Sequence, residues 1–255
     1  MTTPVLKVEQ LCKSFGGVHA ISDLSFEVRD AEILGLIGPN GSGKSTTVNC
    51  LAGVLPVTSG AITLGGQRIE TLPEYERVAC GMTRTFQTAS TFPEFTVRDQ
   101  IMLGGNVTRT SHPISSVFGI GRHRGEDEVL ARRVAHILDI TGLAQIAGAR
   151  VGTISSAQQR FLMIATALAA DPKVILLDEP AAGLVSHERK TLTDLIKSIR
   201  DMGVSVLVIE HHMALIMEVS DRICVLNFGS KIAEGTPQDI RNDRAVIDAY
   251  LGEAA

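Results

Sequence analysis

Gly38-Pro39-Asn40-Gly41-Ser42-Gly43-Lys44-Ser45 fits the pattern G-x-x-x-x-G-K-[ST]. It stands between a strand-like run, Glu32 to Ile37, and a stretch suited to a helix, Lys44 to Ala52. Strand, glycine-rich loop and helix is the order this pattern requires. The glycines let successive backbone N–H groups converge on phosphate oxygens without interference from a Cβ, and the helix N-terminus adds positive potential. Gly38 through Ser45, with Thr46 behind them, form the candidate nucleotide-binding set. Lys44 is expected to reach β and γ phosphates and the Ser45 hydroxyl to ligate Mg2+. The competing reading is a structural glycine-rich turn.

A second element matches the first. Val174-Ile175-Leu176-Leu177 reads as a buried strand that delivers Asp178 and Glu179 at its carboxyl end, where open α/β sheets bind ligands. Asp178 suits a metal's coordination sphere. Glu179 is placed to orient or deprotonate a water attacking a γ-phosphate. A carboxylate directly after the metal Asp favours hydrolysis over transfer to an acceptor. The alternative for the pair is an acidic helix cap before Pro180.

Outward from these two elements the chain alternates strand and helix. Val5, Lys7 and Glu9, and again Leu24 to Val28, alternate apolar and polar residues as half-buried strands do. Asn106 to Gly125 is loop-like, and Val129, Leu130, Val134, Ile137 and Leu138 follow at helical spacing. Ser155 is the expected N-cap of a helix with Phe161, Leu162, Ala165 and Leu168 on one face, ended by Asp171-Pro172. Leu192, Leu195, Ile196 and Ile199 mark another helix that stops at Gly203, before the fully apolar strand Val204 to Ile209. Arg222 to Leu226 and Ser230 to Ala233 form a hairpin, and one short helix with Ile240, Val246, Ile247 and Leu251 closes the chain.

Composition bounds the possibilities. At roughly 150 residues per domain, 255 residues allow one large domain or a domain with a sizeable inserted lobe. A hydrophobic fraction of 44% against 20% charged excludes a disordered tail. The net charge of −4 leaves no global basic field, so no nucleic-acid partner is expected. No apolar run reaches the ~18 residues of a membrane-spanning helix, and Met1 to Pro4 lacks the features of a secretion signal. The four cysteines form no C-x-x-C pair and read as buried small hydrophobes in a reducing cytoplasm. The mean hydropathy of +0.19 is nonetheless high for a chain without a span.

Four further segments make a resemblance specific: Phe86-Gln87, Ile154 to Arg160, Ala182-Gly183-Leu184 and Glu210-His211. In this order and spacing the whole chain resembles the ATP-binding cassette ATPases. Arg84 to Gln87, Phe92-Pro93-Glu94, Glu179 to Leu184, and Lys231 to Pro237 running on to Ala249-Tyr250-Leu251-Gly252 look like the branch that serves branched-chain amino-acid uptake. The fold this implies is α/β: a P-loop NTPase core with an N-terminal antiparallel β subdomain and an inserted α-helical subdomain. The core would take residues 1–87 and 160–235, the helical lobe with the signature segment 88–159, and a C-terminal helix 236–255.

The resemblance also implies roles. Phe15 would stack on adenine, against the alternative of a core phenylalanine. Gln87 would touch Mg2+ or the attacking water, and His211 would contact the γ-phosphate. Ser155, Ser156, Ala157 and Gln158 would cap the ATP held by an opposing subunit. ATP and Mg2+ are the implied cofactors. The implied partners are a second cassette ATPase, identical or not, two membrane permease subunits and, indirectly, an external substrate-binding protein. The implied location is peripheral, on the cytoplasmic face of the inner or plasma membrane. A soluble iron–sulfur-assembly ATPase and a lipopolysaccharide-type exporter ATPase are the rival readings.

The sequence departs from the family where a partner's site would be served. Ser156 and Ala157 replace the two glycines of Leu-Ser-Gly-Gly-Gln, Thr166 an arginine, and Val185 an Asp or Asn. The Cβ of Ala157 is expected to restrict the backbone there. An asymmetric pair of ATP sites follows as an expectation, with neutral drift as its rival.

Overall fold

The computed structural model describes residues 4–85, 91–106 and 122–251. These fall into two compact units, one of residues before 88 and after 172, the other of residues 88–172. A boundary at 159 would cut the helix Ser156–Ala169; the contacts keep that helix whole in the second unit.

In the first unit, β1 (Leu6–Phe15), β2 (Val18–Val28), β3 (Ile33–Ile37) and α1 (Lys44–Ala52) come first in the chain. They are followed by β4 (Ser59–Leu64), β5 (Gln67–Arg68), α2 (Glu74–Cys80) and β6 (Met82–Arg84). An antiparallel sheet has the order β2-β1-β4-β5. After the second unit come β7 (Val174–Asp178), α6 (Ser186–Asp201), β8 (Ser205–Ile209), α7 (Met213–Val219), β9 (Arg222–Asn227) and β10 (Ser230–Gly235). The other sheet has the order β10-β9-β3-β8-β7-β6 and is parallel except for the β9–β10 hairpin. Every residue of β3, β7 and β8 is buried, which is why these strands read as unbroken apolar runs instead of alternating. Leu6, Leu24 and Ile62 of the antiparallel sheet share one hydrophobic core with Leu36, Leu176 and Leu207 of the parallel one.

The second unit holds α3 (Val97–Asn106), α4 (Arg122–Ile140) and α5 (Ser156–Ala169). Their buried faces carry Val97, Ile101, Leu130, Val134, Ile137, Leu138, Phe161, Leu162 and Leu168. Val129, expected on this stripe, is instead 51% exposed. The loop expected through Gly125 gives way to helix by Arg122, because residues 122–140 form one continuous α4. The closing helix is also two pieces, α8 (Pro237–Asn242) and α9 (Arg244–Leu251). Asp243 adopts an extended conformation between them, and its carboxylate accepts the Val246 N–H. Cys50 and Cys224 are buried as expected, and burial pushes the Cys224 thiol up to about 12. Cys12 and Cys80 are only partly buried.

One polar side chain anchors the phosphate-loop helix from behind. Arg77 of α2 is 2% exposed. Its guanidinium donates to the carbonyls of Cys50 and Leu51 (2.6 Å each), Leu72 (2.8 Å) and Glu70 (2.9 Å). The first two belong to the last turn of α1, where carbonyls lack helical partners and the dipole is negative. Burial lowers the Arg77 pKa from its ordinary value. Arg77→Met removes every one of these donors and leaves buried carbonyls unsatisfied. Urea unfolding is expected to show a loss of about 3 kcal/mol; an unchanged midpoint would remove Arg77 from this role.

Candidate functional site

Parallel pairing brings the carboxyl ends of three strands to one level, with Leu36 of β3 and Asp178 of β7 both opposite Ile209 of β8. The chain therefore leaves the sheet side by side at Gly38, Glu179 and Glu210. An open cleft of about 200 Å3 lies there, lined by Ala20, residues 40–46, Glu179 and His211. A larger groove of about 430 Å3 involves Lys7, Glu9, Glu27, Lys231 and Glu234. Its lysines pair with its glutamates, Lys7 with Glu9 and Lys231 with Glu234 at 2.6 Å each.

Two loop glycines are set by crowding from within the chain. A Cβ on Gly38 would lie 2.2 Å from the Leu226 carbonyl oxygen, and one on Gly43 (φ 101°) would lie 2.6 Å from that of Ala20. The loop is thus pressed between β2 and the β9–β10 turn, and the Gly229 N–H donates to the Ser42 carbonyl at 3.0 Å. The Lys44 ammonium donates to the Gly38 and Pro39 carbonyls at 2.6 and 2.8 Å. These are weaker attractors than a phosphate dianion, so the lysine is poised to exchange them for one.

Asp178 is buried, its side chain 2% exposed. Arg84 of β6 donates to its Oδ2 at 2.8 Å and, through the other terminal nitrogen, to Asn49 Oδ1 of α1 at 2.7 Å. Asp178 Oδ1 is buried without a hydrogen-bond partner. That orphaned oxygen, with the Ser45 hydroxyl in the cleft, is a hard-oxygen donor set that suits Mg2+. In the sequence Arg84 stands out only as the first residue of the Arg84 to Gln87 segment that carries the resemblance.

Glu179 follows with φ 47°, a left-handed conformation costly for a non-glycine residue and typical of functional sites. Its carboxylate and the His211 ring line the same cleft, with Nδ1 3.9 Å from Glu179 Oε1. Phe15, at the end of β1, is 47% exposed with the Lys13 ammonium 4.8 Å from its ring centroid, so it is not a core residue. It is not among the residues lining the cleft. Phe86 and Gln87 lie outside the described residues.

The signature segment lies in the second unit. Ser155 caps α5: its Oγ accepts the Gln158 N–H at 3.2 Å while Gln158 Oε1 accepts the Ser155 N–H at 2.9 Å. The hydroxyl proton remains available to a ligand. Ala157 sits inside the first turn of α5 and does not have a positive φ, so its Cβ imposes none of the restriction expected from the sequence; alanine is the better helix former there. The Thr166 hydroxyl bonds back to the Leu162 carbonyl. At Val185 half a capping box is present, since Glu188 accepts the Val185 N–H at 2.9 Å but valine offers no oxygen in return.

A family described as "ABC transporter" matches residues 21–182, and the chain belongs to it. It is an ATP-binding cassette ATPase. Residues 230–255 match a second family, described as "Branched-chain amino acid ATP-binding cassette transporter". The chain is 40% identical to the high-affinity branched-chain amino acid transport ATP-binding protein LivG of Salmonella typhimurium, and 38% to BraF of Pseudomonas aeruginosa. Each alignment covers 100% of both chains. It is 35% identical to the lipopolysaccharide export system ATP-binding protein LptB of Haemophilus influenzae, over 98% of this chain. Among solved structures, the ADP conformation of the cassette MJ1267 aligns with a TM-score of 0.83 at 28% identity, covering 98% of this chain and 100% of that one.

The Arg84–Asp178 pair yields a direct test. Arg84→Met leaves a buried carboxylate without its cation and is expected to cost about 3 kcal/mol in urea unfolding. Adding Asp178→Asn should return part of that loss. Losses that simply add would show that the two side chains are not coupled.

Proposed function

We propose that this chain is the ATP-hydrolysing subunit of an importer for branched-chain or related amino acids. In this reading it sits peripherally on the cytoplasmic face of the membrane, pairs with a second cassette ATPase and drives two permease subunits fed by an external binding protein. The observation that carries the chemistry is the meeting of Glu179, His211 and loop residues 40–46 in one cleft. The amino-acid cargo is supported by full-length similarity to LivG and BraF and by the match at residues 230–255. Similarity to LptB supports an exporter as the second reading. Purifying the native protein with its membrane partners separates them, since an importer co-purifies with permeases whose cargo is an amino acid.

The loop's N–H groups and Lys44 hold the nucleotide's phosphates. Ser45 and Asp178, with Gln87, would hold Mg2+, which neutralises developing phosphate charge when bound. Glu179 accepts a proton from, or orients, the attacking water, and His211 donates a hydrogen bond to the γ-phosphate. Phe15 offers its exposed face to the base. Ser155 to Gln158 present a helix N-terminus and a hydroxyl proton to the ATP of the opposing subunit. Glu179→Gln is expected to retain MgATP binding and lose turnover at least 100-fold; retained turnover removes Glu179 from catalysis.

With Ala157 accommodated in its helix, the case for unequal ATP sites rests on Val185. Val185→Asp should stabilise the chain by about 1 kcal/mol by completing the α6 cap, whatever its effect on catalysis. Steady-state ATPase of the assembled complex carrying Val185→Asp is expected to rise. No gain contradicts the asymmetric pair.

A further inference from the structure

Glu210 directly follows the apolar strand β8, yet its side chain is 0% exposed. Its charge is met by three peptide N–H groups. Oε1 accepts the Ala181 N–H at 2.7 Å, and Oε2 accepts those of His211 and His212 at 3.2 Å each. Ala181 lies in the turn that carries Glu179. One carboxylate therefore joins the segment after β7 to the segment after β8.

The Glu179 N–H donates to the Ile209 carbonyl at 2.9 Å, Pro180 has no N–H, and the Ala182 N–H closes the turn on the Glu179 carbonyl at 3.2 Å. The Ala181 N–H has no backbone acceptor within the turn, and the Glu210 side chain supplies one. The turn also holds Glu179 at φ 47°, a conformation that persists only when its surroundings over-determine it. On the other side, Glu210 Oε2 lies 3.9 Å from His211 Nδ1, the same separation as between that nitrogen and Glu179 Oε1.

We propose that Glu210 is a positioning residue for hydrolysis: its buried carboxylate locks the Glu179 turn to the His211 segment so that both side chains face the γ-phosphate as one rigid pair. This rests on the reading of Glu179 and His211 given above. Glu210 is fully buried and is not among the residues lining the cleft. An isosteric amide cannot replace it, because both oxygens accept from N–H groups, and an NH2 at either place turns one connection into a donor–donor contact. Aspartate is one methylene too short to span both segments.

The test uses the full-length chain with Glu210→Gln, which changes no volume, beside Glu179→Gln and His211→Ala. Glu210→Gln is expected to lower kcat for ATP at least tenfold while KM and MgADP affinity stay within about twofold, since the phosphate loop is untouched. In the Glu179→Gln/His211→Ala background, where both positioned side chains are gone, the same change should lower the residual kcat by less than twofold further. A kcat within twofold of wild type, a KM rising in step with the lost turnover, or a full tenfold loss repeated with both Glu179 and His211 replaced overturns the proposal. Amide exchange at Ala181 and His211 does not depend on hydrolysis. It should quicken in Glu210→Gln, and unchanged protection overturns the joint. Failure of the underlying reading looks different: Glu179→Gln would keep its turnover.

Discussion

The alignment of three strand ends is the constraint on which the rest depends. Parallel pairing of β3, β8 and β7 sets Leu36, Ile209 and Asp178 at one level, so three connections emerge together. One becomes the phosphate loop, one carries Asp178 and Glu179, and one carries Glu210 and His211. A slip of one residue in any of these strands would exchange its two buried faces and move its catalytic group along the cleft. The register is fixed because all three strands are buried on both faces, leaving no solvent side on which a misplaced residue could be tolerated.

Around that alignment, buried charges act as braces more than as sources of stability. Arg77 ties off the far end of α1, Arg84 joins Asp178 to Asn49 on the same helix, and Glu210 joins two of the three connections. Each is desolvated, so each is costly to leave unpaired and gives a geometry that alternatives cannot satisfy. The helix that presents the phosphate loop is thus held at its carboxyl end and along its flank. The loop itself is pressed between Ala20 and Leu226.

The parts of this account that were legible in the sequence are those written in local chemistry. Gly38 to Ser45, the Asp178-Glu179 pair and the apolar run ending at Ile209 announce themselves because each element is short and its residues are chemically restricted. Ser155 as an N-cap was readable for the same reason. The short pieces α2, β5 and β6 had too few residues for a period to emerge, and α3, which contains Gly104 and Gly105, has a composition that hides its helix. The break at Asp243 escaped because the apolar spacing continues across it. Arg84 and Glu210 could not be assigned partners from sequence at all, since Asp178 and Ala181 lie 94 and 29 positions away. Part of the apolar surplus lies exposed on the second unit at Phe92, Phe95, Leu103 and Val129, though Phe228 and Val18 of the first unit are more exposed still.

In the proposed function, one cleft at the ends of β3, β7 and β8 binds the nucleotide and assembles the hydrolytic groups. A structure of the full-length chain with Mg2+ and a non-hydrolysable ATP analogue tests this most directly. Phosphates are expected against residues 40–46, with the Lys44 ammonium turned from the Gly38 and Pro39 carbonyls onto them. Metal density is expected between Ser45 and Asp178, with Glu179 and His211 beside the terminal phosphate. Nucleotide seated elsewhere, or Lys44 still on its own loop carbonyls with analogue bound, would contradict that function.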